Sequence, residues 1–491
     1  MTEPVEAVRL ADELGPVDYL LHRGEANPRT RSGIMALELL DTTPAWNRFR
    51  ARFDNASRRV LRLRQKVVVP TLPTASPRWV VDPDFNLEFH VRRVRVAEPG
   101  TLREVFDLAE VILQSPMDIS RPLWTATLVE GLAGGKAATL LHVSHAVTDG
   151  VGGVQMFAEI YDLERDPPDK PTPPLPIPQD LTPNDLMRHG LNHLPIAIVG
   201  GVLGALSGAV SVAGRAVLEP TSTVSGIVTY ALSGIRVINR AAEPSPLLRR
   251  RSLATRTEAI DIPLSDLHKA AKAGGGSIND AYLAGLCGAL RRYHEALGVP
   301  ISTLPMAVPV NLRAEADTAG GNRFTGVNLA APIGTVDPVS RMKKIRAQMT
   351  QRRDEPAMNI IGSMAPVLSV LPTAVLEGIT GSVIGSDVQA SNVPVYPGDT
   401  YIAGAKVLRQ YGIGPLPGVA MMVVLISRGG WCTITVRYDR AAVRNESLFA
   451  QCLLDGFNEI LALAGGSATR AVPASFAAEP AGAASRSVSG S

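Results

Sequence analysis

Only three cysteines occur in 491 residues, and Cys287, Cys432 and Cys452 lie too far apart to make a metal-ligand spacing. An odd number of isolated thiols points to a reducing cytoplasm as the expected setting. Charge of one sign is scarce as well. With 49 lysines and arginines against 46 aspartates and glutamates the net charge is +3, so charge offers no argument for a nucleic-acid partner. The opening Met1-Thr2-Glu3-Pro4-Val5-Glu6 is acidic and has no apolar core, so neither a secretory signal nor a transit peptide is expected.

What is present is a globular balance: hydrophobic residues make up 45% and charged residues 19%, with a mean hydropathy of +0.11. The length exceeds what one hydrophobic core serves, and two domains are expected. In the first, placed at residues 1–165, the alternation of Phe85, Leu87, Phe89 and Val91 predicts a strand over Asp84 to Val91. Leu102 to Ser115 has helical spacing, and Arg121 to Val129 and Ala138 to Val143 predict further strands, so the domain is mixed α/β. Residues 166–250 begin with seven prolines between Asp166 and Pro178, an extended linker, and continue with two uncharged apolar runs. The runs lie between His193 and Arg215 and between Pro220 and Ile235. Pro195 and many glycines argue for buried or surface-docked helices over a bilayer-crossing pair.

The second α/β domain is placed at 251–465. Glu258 to Ile262 predicts a strand and Ser265 starts a helix. After Gly274-Gly275-Gly276 another helix begins, where Ser277 and Asp280 resemble a cap and its return partner. Met306 to Val310, Met421 to Ile426 and Trp431 to Val436 predict strands. Residues 466–491, mostly Ala, Ser, Gly and Pro, are expected to be a disordered tail.

The chemistry concentrates in Ser144-His145-Ala146-Val147-Thr148-Asp149-Gly150, between the strand at Ala138 to Val143 and the helical spacing of Val151, Val154, Ala158 and Tyr161. A histidine on such a connector reaches a cleft more often than a core, and a histidine and aspartate four apart suggest acyl transfer. By itself the pattern is a weak signal. Four other segments accompany it: Pro122-Leu123-Trp124; Asn279-Asp280-Ala281-Tyr282-Leu283-Ala284; Pro309-Val310-Asn311-Leu312-Arg313 with Gly321-Asn322-Arg323; and Ser391-Asn392-Val393-Pro394. In order and spacing they resemble the bacterial wax ester synthase/diacylglycerol acyltransferase family, within the chloramphenicol-acetyltransferase-like and condensation-domain superfamily. The resemblance covers roughly residues 15 to 465.

That resemblance implies two chloramphenicol-acetyltransferase-like α/β domains with a tunnel at their interface. It implies an O-acyltransferase that moves a fatty acyl group from acyl-CoA to diacylglycerol, a long-chain alcohol, or both, with His145 as general base. An imidazole, with an ordinary pKa of about 6.5, suits the task. Acyl-CoA is then a co-substrate, and no further cofactor and no metal are expected. Ser144 stands where the family has the first histidine of HHxxxDG, and Val395-Tyr396-Pro397-Gly398 replaces a shorter ending. Ser144, Asn279, Ser391 and Asn392 are candidate donors to the oxyanion. Asp149 is implied to hold the loop through an arginine, with Arg313 and Arg323 as candidate partners, and Gly150 to permit the turn.

Plainer readings stand beside these. Trp124 reads as a core anchor or as a wall of the acyl tunnel, and Asn279 equally as a helix cap. His90, His142, His189, His193, His268 and His294 read as structural or surface residues. Arg58, Arg59, Arg62, Arg64 and Lys66 read as a solvated face, or as a contact for anionic lipid or CoA phosphates. The apolar segment from Leu194 to Ile235 and the lipid-soluble substrates suggest a cytoplasmic protein, peripheral at the inner membrane or at lipid droplets. Two rival functions remain open. One is a condensation-type acyltransferase using carrier-bound acyl groups, against which the absence of a DFGWG segment argues; the other is a non-catalytic lipid-binding or droplet-associated protein.

Overall fold

Two sheets built from alternating and fully apolar strands carry the molecule, and the computed structural model describes residues 13–72, 75–148, 152–153, 156–168, 171–193, 241–311, 324–353, 386–465 and 470–474. The first sheet has the spatial order β11 (Tyr401–Ile402), β12 (Ala405–Ile413), β1 (Gly33–Leu40), β6 (Ala137–Ser144), β5 (Trp124–Glu130), β4 (Val91–Arg95). The second runs β15 (Val472–Pro473), β7 (Thr255–Pro263), β14 (Trp431–Asp439), β13 (Met421–Arg428), β10 (Val388–Val393), β8 (Leu304–Asn311), β9 (Phe324–Ala331). A two-stranded ribbon, β2 (Gln65–Val68) with β3 (Arg78–Val81), flanks the first sheet.

The two halves of the chain are interlocked. The hairpin β11–β12 belongs by sequence to the region placed in the second domain at 251–465, yet β12 pairs antiparallel with β1, from Met35 opposite Ile413 to Leu40 opposite Val407. It thus completes the first sheet and corrects that boundary. Helix Leu102–Gln114, from the first half, docks in the other direction. Its Arg103 and Glu110, two turns apart on one face, reach Thr257, Glu258 and Arg437 of the second sheet. Helices Ile278–Ala296 and Glu446–Leu461 bury Leu283, Leu286, Leu290, Phe449, Leu453 and Phe457 against the second sheet, forming its core.

Two expectations fail for local reasons. The alternation over Asp84 to Val91 is not one strand: Asn86 accepts the Glu88 N–H and starts a single helical turn, Leu87–His90, before β4. The turn lets the His90 ring stack on both Phe85 and Trp124, at centroid distances of 5.0 and 4.8 Å, which an extended chain could not do. The tail expected to be disordered over 466–491 is ordered at 470–474. There Val472–Pro473 pairs with β7, and the Ala474 N–H donates to the Ala259 carbonyl at 2.9 Å. The physical reason is the otherwise open edge of β7, whose backbone groups need partners. Residues 166–168 and 171–182 have no regular structure, as proline predicts, and then form helix Pro183–His193. The apolar runs between residues 194 and 235 lie outside the described residues.

Candidate active site

Strand β6 is buried along its whole length, and its side chains divide between two faces. Leu141, Val143 and, one residue beyond the strand, His145 line a cavity between the two sheets; His142 and Ser144 lie on the alternate set. His145 is half-buried, and its N–H donates to the Ser32 carbonyl at 3.2 Å, which pins the connector to the segment entering β1. Ser144 strengthens the same clasp. Its hydroxyl donates to Glu25 Oε1 at 2.6 Å and accepts the Ala146 N–H at 3.2 Å, while the Ser32 hydroxyl donates to the same carboxylate oxygen at 3.1 Å. Burial pushes the Glu25 carboxyl up, against the opposing pull of these two hydroxyls.

The cavity has a volume of about 460 Å³, within the range of small-molecule sites. Its walls are mostly aliphatic and aromatic: Ile34 and Ala36 from β1, Met422, Val424 and Ile426 from β13, and Phe157. Polar groups enter in two sets. The β10 residues Ser391 and Asn392 are one set, and Tyr161, Gln410 and Arg428 are the other. Gly412 and Gly414 let β12 cross close to β13, since a Cβ at Gly414 would lie 2.7 Å from Met422 Cγ.

Of the residues singled out from sequence, the cavity gathers His145, Ser391 and Asn392. Ser144 and Asn279, expected as oxyanion donors, are not among the residues that line it. The serine is buried beneath the connector that carries His145, and Asn279 sits in the first turn of helix Ile278–Ala296, where Ser277 and Asp280 form the reciprocal cap. Trp124 is no tunnel wall. Its indole is 1% exposed, donates to the Leu63 carbonyl at 2.7 Å and stacks on Phe53 and His90. Asp149, Gly150, Arg313 and Arg323 lie outside the described residues. Glu25 and Glu38 are functional candidates the sequence reading does not single out. For Glu38 a signal exists, one carboxylate within the apolar run Ile34 to Leu40.

The basic run is not the solvated face it resembles. Arg58 and Arg64 both pair with Asp54, at 2.6 and 2.7 Å, Lys66 pairs with Asp82 at 2.7 Å, and Arg62 covers the Trp79 ring. Their charge is answered by the protein, leaving little for phosphates. His90, His142 and His294 are core residues. Burial lowers His90 to about 4 and His142 to about 3, with the Arg437 guanidinium adding to the second effect. All three cysteines are buried and free. Among the described residues no group of three or more His, Cys, Asp or Glu side chains could hold a metal ion, and one helix, Glu446–Ala464, is long and apolar enough to cross a membrane. That helix packs into the core of the second sheet.

Two sheets exchanging a hairpin around an interfacial cavity, with a histidine at a strand end opening into it, define the class of chloramphenicol-acetyltransferase-like acyltransferases. The first condensation domain of the CDA synthetase shares this fold, with a TM-score of 0.55 at 14% identity, covering 94% of this chain and 98% of that one. So does the wax ester synthase/diacylglycerol acyltransferase from Marinobacter aquaeolei VT8, with a TM-score of 0.63 at 20% identity over 92% of this chain and 100% of that one. Within that class the chain belongs to the wax ester synthase/diacylglycerol acyltransferase family: the model of the family's catalytic domain matches residues 6–282 and that of its C-terminal domain residues 320–461. It is 86% identical, over all 491 residues of both chains, to a Mycobacterium tuberculosis protein bearing the name "putative diacyglycerol O-acyltransferase". A second M. tuberculosis protein so named is 29% identical over 87% of this chain and 91% of its own.

Proposed function

We propose that the protein transfers a fatty acyl group from acyl-CoA to the hydroxyl of diacylglycerol, giving triacylglycerol, or of a long-chain alcohol, giving a wax ester. The observation that carries this reading is His145 at the wall of an apolar cavity closed by both sheets. His145 takes the hydroxyl proton as the alcohol oxygen attacks the thioester carbonyl carbon. The tetrahedral intermediate then collapses, the carbon–sulfur bond breaks, and the proton passes from His145 to the departing CoA thiolate. Ser391 and Asn392, which line the same cavity, are the oxyanion donors in this reading. Acyl-CoA serves as co-substrate, and acyl transfer changes no oxidation state, so the reaction calls for no redox group. Leu163 and Tyr396, 71% and 53% exposed, line the cavity as well, and an apolar rim of this kind suits a protein that draws its substrates from a membrane or droplet surface.

Purified protein given radiolabelled palmitoyl-CoA with dioleoylglycerol or hexadecanol should form triacylglycerol or wax ester. His145→Ala should lower kcat by about 10²–10⁴-fold with little change in folding. Formation of neither ester by the native protein would overturn the reading, and full activity in His145→Ala would overturn the assignment of the base.

A further inference from the structure

The apolar cavity has a polar far end. Along β1 and β6 the register sets Gly33 opposite Ser144 and Glu38 opposite Thr139, so Glu38 and Thr139 lie about six strand residues from His145. At the rise of a strand that is roughly 20 Å. Gln410 on β12 stands opposite Glu38 on the other side of β1. Glu38, Thr139 and Gln410 therefore form a polar rung across three adjacent strands of an otherwise apolar surface.

The rung continues into the second sheet and the loops. Gln410 Nε2 donates to Glu38 Oε1 at 3.2 Å, Arg428 Nη1 donates to Gln410 Oε1 at 2.8 Å, and the Tyr161 hydroxyl donates to Glu38. Tyr161, Gln410, Arg428 and Thr400 all line the cavity. Several atoms of this cluster have no hydrogen-bond partner: Arg428 Nε and Nη2, Glu38 Oε2, Thr139 Oγ1 and Thr400 Oγ1. These side chains are deeply buried, with residue exposures of 7% for Arg428, 0% for Glu38 and Thr139, and 3% for Thr400. Buried polar atoms are nearly always satisfied, and Arg428 and Thr400 carry their open atoms on residues that line the cavity, with Glu38 and Thr139 behind them, so the site calls for a ligand group.

We propose that this cluster is a second recognition site, which holds a hydroxyl at the far end of a long-chain substrate whose reacting end lies at His145. Arg428 offers open donors and Thr400 an open hydroxyl oxygen, both residues lie on the cavity wall, and a hydroxyl is the small group that accepts from one and donates to the other. The roughly 20 Å separation matches the reach of an extended chain of about sixteen carbons. Burial raises the Glu38 carboxyl to about 7, so an uncharged hydroxyl fits beside either of its forms, whereas a carboxylate would meet a like charge whenever Glu38 is ionised. Both substrates of the proposed reaction are long chains, so the ω-hydroxyl can belong to the acyl group or to the alcohol. The inference rests on the acyltransferase reading for its orientation, with the reacting end at His145.

The test measures equilibrium binding to the full-length native protein of 1-alkanols and the matching α,ω-diols from twelve to eighteen carbons. The diol is expected to bind about tenfold more tightly than the alkanol near sixteen carbons, with no preference at twelve, because only the longer chain reaches the cluster. Arg428→Met combined with Thr400→Val should abolish that preference, bringing the affinity for the diol down to that for the alkanol. Kinetic arms then separate the sources: 16-hydroxyhexadecanoyl-CoA against hexadecanoyl-CoA with dioleoylglycerol for the acyl group, and 1,16-hexadecanediol against 1-hexadecanol with hexadecanoyl-CoA for the alcohol. Equal or weaker binding of the diols at every length overturns the proposal. A length-dependent diol preference in a protein that makes no ester would leave the second site standing and overturn the proposed reaction instead.

Discussion

At the scale of the residue, Ser144 shows how a departure from a motif can be absorbed. The family pattern has a histidine at this position, yet here a hydroxyl fills a place off the cavity and ties the connector to Glu25. Nothing in sequence separates that role from a donor in the cavity, because Glu25 is 119 residues away. The connector's position should therefore depend on the serine. Ser144→Ala leaves the buried Glu25 short of a donor and the Ala146 N–H short of an acceptor, for an expected loss of about 1–3 kcal/mol in stability. It should lower kcat more than it raises KM, and Ser144→Thr should restore part of it; unchanged kcat in a folded Ser144→Ala protein would show that the clasp does not aim His145. On the same alternate set of β6, His142 makes a different prediction. Its folded pKa of about 3 lies below the unfolded value of 6.5, so the imidazole is neutral in the folded protein and its contribution is lost as pH falls below 6.5. From pH 7 to pH 5 this one group should cost about 2 kcal/mol, and denaturant unfolding of His142→Gln should show a smaller acid loss by that amount.

At the scale of the element, local chemistry decides what sequence can reveal. The helix Ile278–Ala296 is announced by its own cap, Ser277 and Asp280, three residues apart, and the strands β6, β13 and β14 by apolar runs that need no distant information. The turn at Leu87–His90 is hidden, since its alternation matches a strand and the deciding partner is Trp124. Helix crossing is hidden too. Gly456 lies where helix Glu446–Leu461 meets Ile278–Ala296, and a Cβ there would stand 2.5 Å from Ala289 N and 2.6 Å from the Gly285 carbonyl oxygen. Both are backbone atoms, which cannot swing aside as a side chain does. Gly456→Ala should therefore destabilise by about 1–3 kcal/mol through overpacking, although alanine favours a helix over glycine. An increase in the urea midpoint would mean that the two helices can separate without loss.

At the scale of the whole molecule, what sequence cannot show is how the two halves close on each other. His145, Ser391 and Asn392 are recognisable one segment at a time, but their meeting depends on β12 crossing to β1 and on the helix Leu102–Gln114 crossing to β7. The second crossing ends in a buried ion pair, Arg437 to Glu110 at 3.1 Å with side chains 7% and 6% exposed. Glu110 also accepts from the hydroxyls of Thr255 and Thr257, so one carboxylate answers three groups from the second sheet. Such a pair adds little compared with an apolar replacement, but its disruption strands a buried charge. Glu110→Ala should therefore cost about 3–5 kcal/mol, whereas Glu110→Leu with Arg437→Met should recover most of it. Because the cavity has walls from both sheets, the single variant should also lose ester synthesis at temperatures where it is still folded, and the double variant should regain it. If the double variant is as unstable as the single one, the pair fixes the domains through its hydrogen bonds and not through its charge.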